Sequence, residues 1–216
     1  MHTTDEQTER LGINQRKRRF YEESSLILGR ACLKLGLTPN FLTALSLVCA
    51  VVSGLFFWRA EMIWGVVFML ATAFTDMLDG STARAGNMGT VFGGILDHVS
   101  DRYGEFFILA GITLSGTVHP GWALFALFGM LIASYTRAAA ESMGKIENCA
   151  VGIMGRMEKF VLIIGGSIAE HFLPTGTWPK GGWLEFVLII VGLTSFITSV
   201  QRMVYTRKVL GNKREI

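Results

Sequence analysis

Residues 41–78 read FLTALSLVCAVVSGLFFW, then RAE, then MIWGVVFMLATAFTDML. Two apolar runs, Phe41–Trp58 and Met62–Leu78, are thus parted by Arg59-Ala60-Glu61. Each is close to the roughly 20 residues that carry a helix across a bilayer. Working outward, four more runs follow: Val91–Ser115, Trp122–Ala140, Phe160–Leu173 and Trp183–Val204. They are separated at Ala85-Gly86-Asn87, His119-Pro120-Gly121, Gly144 to Gly155 and Pro174 to Gly182. The fifth run is short and needs tilt, or the flanking Met157, to reach across. The pattern predicts an all-α integral membrane protein of six transmembrane helices. Composition agrees, with 216 residues, 50% of them hydrophobic, 17% charged and a mean hydropathy of +0.42. An average soluble domain carries about 25% charged residues. Disordered chains, nucleic-acid-binding domains and ordinary soluble enzymes are excluded.

The basic residues set an expected orientation. Seven Lys and Arg precede Phe41 and five lie from Arg202 onward. Arg84 follows the second run, and Lys145, Arg156 and Lys159 lie between the fourth and fifth, whereas the opposite side holds only Arg59 and Lys180. Cytoplasmic loops are enriched in positive charge, so both termini are expected in the cytoplasm of a multi-pass cytoplasmic-membrane protein. Before the first span, Phe20, Ile27, Ala31 and Leu35 recur at helical spacing beside Arg18, Arg19, Arg30 and Lys34. That predicts a basic amphipathic helix over 16–35 lying on the bilayer surface; a solvated basic arm is the other reading. The expected organisation is a polar tail (1–15), this surface helix, a six-helix domain (36–208) and a C-terminal tail (209–216). The polar, acidic stretch Met1 to Gln15 lacks a short apolar segment and cleavage site, so no signal peptide is expected there. Cys32, Cys49 and Cys149 are odd in number and lack CxxC spacing, so neither a zinc site nor a disulfide framework is expected.

Four aspartates sit in or beside the apolar runs. Asp76 and Asp79 are three apart near the end of the second, and Asp97 and Asp101 four apart within the third. Ionised carboxylates at membrane depth are costly and mark wet, functional cavities. At about 100° per residue each pair projects from one helix face, so two antiparallel helices can aim all four at one point. A divalent ion, or two, relieves the repulsion. Hard oxygen ligands select Mg2+, Mn2+ or Ca2+ over zinc, and carboxylates bridging two ions about 4 Å apart suit phosphoryl displacement. A proton or cation pathway uses the same acids. Between the pairs, Gly80, Ala83, Arg84, Gly86, Gly89, Gly93 and Gly94 allow close approach of a phosphate to backbone and guanidinium. Glycines at this spacing also serve helix packing.

Asp76-x2-Asp79-Gly80-x2-Ala83-Arg84-x8-Gly93-x3-Asp97-x3-Asp101 places eight fixed residues over 26 positions. It resembles the signature of the CDP-alcohol phosphatidyltransferases at every defined position, and six spans with cytoplasmic termini resemble that family too. The resemblance implies displacement of CMP from a CDP-linked lipid, CDP-diacylglycerol or CDP-archaeol, by an alcohol hydroxyl. It further implies that Asp76, Asp79, Asp97 and Asp101 hold two divalent ions, Mg2+ or Mn2+, with Asp101 also the general base. Asn40, Thr43, Asp79, Gly80, Ala83, Arg84 and Gly93 would line the CDP-lipid pocket, and a homodimer is implied. Thr38-Pro39-Asn40 also reads as a helix start capped by Asn.

Three further segments resemble the inositol-phosphate-using branch. They are Ser134-Tyr135-Thr136-Arg137-Ala138-Ala139-Ala140-Glu141, the stretch Val151 to Lys159, and Gln201-Arg202. Carried over, Ser134, Arg137, Arg156, Lys159 and Arg202 would bind the acceptor phosphate of inositol phosphate. A phosphomonoester dianion calls for clustered arginines, whereas serine or free inositol does not. Ala139 stands where the branch commonly has arginine, Gly155 where it has glutamate, and Lys159 replaces an arginine. Glycerol phosphate as acceptor is the nearest alternative, and an ion-coupled transporter the alternative of another class. His98 is expected to pack or cap, and Glu105 to support the aspartates or pair with Arg102.

Overall fold

The computed structural model describes residues 25–146, 149–173 and 182–212. Among them all regular structure is helical: α1 from 25 to 34, α2 Pro39–Trp58, α3 Met62–Ala85, α4 Val91–Leu114, α5 Pro120–Met143, α6 Arg156–Phe172 and α7 Gly182–Asn212. The polar tail, the first part of the expected surface helix (16–24), Lys180 and the last four residues lie outside the described residues.

Four helices are long and apolar enough to cross a membrane: Pro39–Trp58, Met62–Ala85, Pro120–Met143 and the Gly182–Gly211 part of α7. Only 33–39% of the most apolar window in each is buried, so large apolar side chains such as Val48, Phe74, Leu124 and Val200 point outward. A bilayer solvates such a surface; water does not. The other two expected spans differ for plain reasons. Helix α4 carries Asp97, Asp101, Arg102 and Glu105, and α6 has 17 residues. Several helices also outrun their apolar stretches. α3 continues through Arg84 to Ala85, and α7 through Arg207 and Lys208 to Asn212, since backbone hydrogen bonding does not require apolar side chains.

Turn chemistry explains the breaks. Gly36 (φ +74°) ends α1: Leu37 N–H reaches the Cys32 carbonyl at 3.0 Å and Gly36 N–H the Leu33 carbonyl at 2.9 Å, the Schellman pattern. Ala60 and Asn87 fill the same left-handed position after α2 and α3, with φ of 59° and 51°. Helix α2 starts from Thr38, whose Oγ1 accepts from Phe41 N–H at 3.4 Å. The capping residue is therefore Thr38 and not Asn40, because Pro39 occupies the first helical position and the cap falls just before it.

The chain divides into two compact units, residues through Cys49 with Leu70–Asp101, and Ala50–Met69 with Arg102 onward. In the first, α1 lies backbone to backbone on α3, where a Cβ on Gly29 would overlap the Ser81 carbonyl oxygen. The packed face of α1 holds Gly29 and Cys32, while Ile27 and Leu35 are 65% and 76% exposed. The second unit has an apolar core running from Ala50, Phe57 and Met69 through Ile108 and Ile112 to Met130, Ile163 and Leu188. There a Cβ on Gly111 would overlap the Gly54 carbonyl, and one on Gly54 that of Phe107. Small residues of this kind let helices approach closely where lipid gives no hydrophobic drive. Ser53 Oγ donates to the Gly65 carbonyl at 2.7 Å.

Candidate active site

In the first unit, carboxylate oxygens of Asp76, Asp97 and Asp101 lie within 4.8 Å of one another, all half-buried. One helical turn between Asp97 and Asp101 stacks them on α4, and Asp76 comes from α3. The fourth aspartate departs from the expectation that all four meet at one point. Asp79 is buried, and its Oδ2 accepts a 2.7 Å hydrogen bond from Thr43 Oγ1. A spacing of three leaves Asp76 and Asp79 about 60° apart around the helix, and the buried Thr43 hydroxyl captures the second.

All seven residues expected around the CDP-lipid, Asn40, Thr43, Asp79, Gly80, Ala83, Arg84 and Gly93, line one cavity of about 240 Å³. Asp97 belongs to both that wall and the carboxylate group. The glycines keep the space open. A Cβ on Gly93 would come within 3.0 Å of Thr90 Oγ1 and 3.4 Å of Asn40 Oδ1, and one on Gly80 within 3.3 Å of an Arg84 guanidinium nitrogen. Arg84 Nη2 donates to Ser81 Oγ at 3.4 Å. Thr90, absent from the residues expected at the site, caps α4 by accepting Gly93 N–H at 2.9 Å. Its signal was ordinary capping spacing, a threonine three residues ahead of Gly93. His98 neither packs nor caps: its side chain is 73% exposed, with Nδ1 3.7 Å from Asp97 Oδ2.

In the second unit, the expected acceptor residues fall into two groups. On α5, Arg137 Nε donates to Glu141 Oε1 at 2.8 Å, and that oxygen also accepts Cys149 N–H at 3.1 Å. Ser134 lies one turn earlier and is half-buried. Arg202 on α7 donates through Nε to the Val151 carbonyl at 2.9 Å and through Nη1 to the Ala133 carbonyl at 2.6 Å. It thereby ties α7 to the residue before Ser134 and to the segment ahead of α6. Gln201 Oε1 accepts Ile153 N–H at 3.1 Å, a second tie to that segment.

The other group centres on Glu105, 2% exposed. Arg102 Nη1 donates to its Oε2 at 2.7 Å, and Arg156 Nε lies 3.6 Å from its Oε1. Lys159, 6% exposed, is within electrostatic range of Glu105, Arg102 and Arg202. The Arg156 guanidinium also lies over the Phe160 ring, 5.3 Å from its centre. Glu105 thus pairs with Arg102, one of the two expectations, and additionally with an arginine 51 positions away.

Residues 36–197 match the sequence profile of the CDP-alcohol phosphatidyltransferases. The archaetidylinositol phosphate synthase of Methanothermobacter thermautotrophicus is 37% identical over 164 residues, covering 76% of this chain and 79% of that one. The phosphatidylinositol phosphate synthase of Mycobacterium tuberculosis, in its crystal structure with CDP-DAG bound, superposes with a TM-score of 0.73 at 28% identity over 84% of this chain and 92% of that one. Its complex with manganese and citrate gives the same TM-score and identity, over 84% and 88%. A chain whose described elements are all helices, several of membrane length, with a three-carboxylate group and a glycine-walled cavity, matched over this span, belongs to the CDP-alcohol phosphatidyltransferase family.

Proposed function

We propose that this protein transfers a phosphatidyl or archaetidyl group from a CDP-linked lipid to a hydroxyl of inositol phosphate, releasing CMP. The observation that carries the reading is the double membership of Asp97, in the carboxylate group and in the wall of the cavity. A diphosphate in that cavity lies beside the oxygens that attract a cation. The donor set fits a divalent ion: ligands on opposite sides of one hard cation are about 4–5 Å apart for bonds of 2.0–2.6 Å, and all three are carboxylate oxygens. When bound, Mg2+ or Mn2+ neutralises charge on the diphosphate and lowers the barrier to displacement at phosphorus; we assign two such ions to the site. Asp76, Asp79, Asp97 and Asp101 are the residues that hold them. Asp101 takes the proton of the attacking hydroxyl. Arg84 and the open positions at Gly80 and Gly93 receive the diphosphate. Ser134, Arg137, Arg156, Lys159 and Arg202 bind the acceptor phosphate.

In the same reading the six helices α2 to α7 all cross the bilayer of the cytoplasmic membrane. α4 does so because its charges face the site, and α6 because tilt and its flanks extend its reach. Both termini are cytoplasmic, residues 16–35 lie on the surface with Ile27 and Leu35 in lipid, the catalytic domain spans 36–208 between the 1–15 and 209–216 tails, and the protein is a homodimer. The test is CMP release by purified protein with Mg2+ and either CDP-diacylglycerol or CDP-archaeol, offering inositol phosphate, glycerol phosphate, inositol and serine. Release with inositol phosphate alone is expected. Release with glycerol phosphate instead keeps the chemistry and overturns the acceptor, and no release with any acceptor points to ion transport by the same aspartates.

A further inference from the structure

Glu105 has no part in the donor chemistry, yet it is the most deeply buried carboxylate among the described residues. A buried carboxylate is costly unless paired and hydrogen-bonded, and a leucine or glutamine there would serve packing better. Its Oε2 accepts a 2.7 Å hydrogen bond from Arg102 of α4, while its buried Oε1 makes no hydrogen bond and faces Arg156 Nε of α6 across 3.6 Å, an ion-pair distance. The Arg156 guanidinium therefore lies between a buried carboxylate, at ion-pair rather than hydrogen-bond distance, and the Phe160 ring, whose centre is 5.3 Å from its Cζ. An arginine already confined beside a buried carboxylate gives up less rotamer freedom when it binds a phosphate. Lys159, one turn after Arg156 on α6, lies within range of the same negative charge and is itself buried.

We propose that Glu105 is a positioning residue for acceptor recognition: its buried carboxylate holds Arg156, with Arg102 and Lys159 around it, in the arrangement that receives the acceptor phosphate. This rests on the reading above that Arg156 and Lys159 bind that phosphate. Residues that orient metal ligands typically cost about 10- to 100-fold when removed; a loss of that order, confined to the acceptor, is expected here by analogy.

The experiment is steady-state CMP release by the full chain, varying inositol phosphate and CDP-lipid separately, with Glu105→Gln, Glu105→Asp, Arg156→Ala and the Glu105→Gln/Arg156→Ala pair. Glu105→Gln should raise the KM for inositol phosphate roughly tenfold or more, leaving the KM for CDP-lipid within about twofold. Glu105→Asp, which keeps the charge, should recover part of that loss. In the Arg156→Ala background the Glu105→Gln effect should largely vanish, since a residue acting through another has nothing left to orient. If Arg156→Ala raises the acceptor KM while Glu105→Gln does not, the positioning role is overturned and the acceptor site stands. If Arg156→Ala leaves the acceptor KM unchanged, the acceptor site itself fails. Equal losses for both substrates, or full additivity in the pair, make Glu105 a structural residue only. Should Glu105→Gln not accumulate as folded protein, Glu105→Asp carries the same test, with a smaller acceptor-specific rise expected.

Discussion

Replacing Thr43 by valine removes one hydroxyl from the donor site while leaving its shape. Thr43 is 4% exposed, and its Oγ1 is 2.7 Å from Asp79 Oδ2 and 3.1 Å from the Pro39 carbonyl. One hydroxyl proton serves these two acceptors, and the shorter, charge-assisted bond to the carboxylate dominates. Valine is isosteric, so no cavity term enters and the loss is the bond itself, about 1.5–3 kcal/mol for a hydrogen bond to a charged group. At 1.4 kcal/mol per tenfold, that predicts a fall of roughly 10- to 150-fold in kcat/KM for CDP-lipid as Asp79 loses its fixed rotamer. Thr43→Ser keeps the hydroxyl and should stay within a few-fold of the parent. The assay is CMP release at saturating acceptor with CDP-lipid varied, alongside thermal unfolding in detergent to confirm folded protein. Parent-like kcat/KM in Thr43→Val, or equal impairment of Thr43→Ser and Thr43→Val, would refute the reasoning and leave helix α3 alone to set Asp79.

Asp101→Asn should lower turnover by about 10²- to 10⁴-fold, the usual worth of a general base, while CDP-lipid binding measured directly persists; near-parent turnover rules out the proton-accepting role. Asp97→Asn should weaken Mn2+ binding, followed by titration calorimetry, because it removes one of three converging carboxylates; an unchanged isotherm would detach Asp97 from the ion. Gly111→Ala, which places a Cβ on the Gly54 carbonyl, should cost about 1–3 kcal/mol as overpacking, or roughly 2–12 °C in Tm. Gly165→Ala, with open space around its Cβ position, should be neutral or slightly stabilising. Equal Tm shifts for these two would mean that the close helix approach is not what Gly111 secures.

The sequence by itself determined what depends on local pattern. Apolar runs separated by Arg59-Ala60-Glu61 and Ala85-Gly86-Asn87 place α2, α3 and α4, because helix-length hydrophobicity and left-handed turn residues act within a few positions. The stretch from Asp76 to Asp101 holds the cavity wall except Pro39, Asn40 and Thr43 at the start of α2, and with it five of the seven residues expected around the CDP-lipid; the family resemblance supplied the other two, Asn40 and Thr43. Thr38 and not Asn40 is the cap for an equally local reason, a proline at the next position.

Only the tertiary structure decided which partner each polar side chain takes. Asp79 gives one carboxylate oxygen, Oδ2, to Thr43, 36 residues earlier. Glu105 pairs with Arg156 as well as Arg102. Arg202 spends two of its donors on the carbonyls of Val151 and Ala133. The packed face of α1 is that of Gly29 and Cys32, not the Ile27–Leu35 stripe. None of this is periodic. A helical register fixes the direction in which a side chain leaves its own helix, and what it meets is set by helices far away in the chain, packed so closely that a single hydroxyl or carbonyl within 3 Å determines its rotamer.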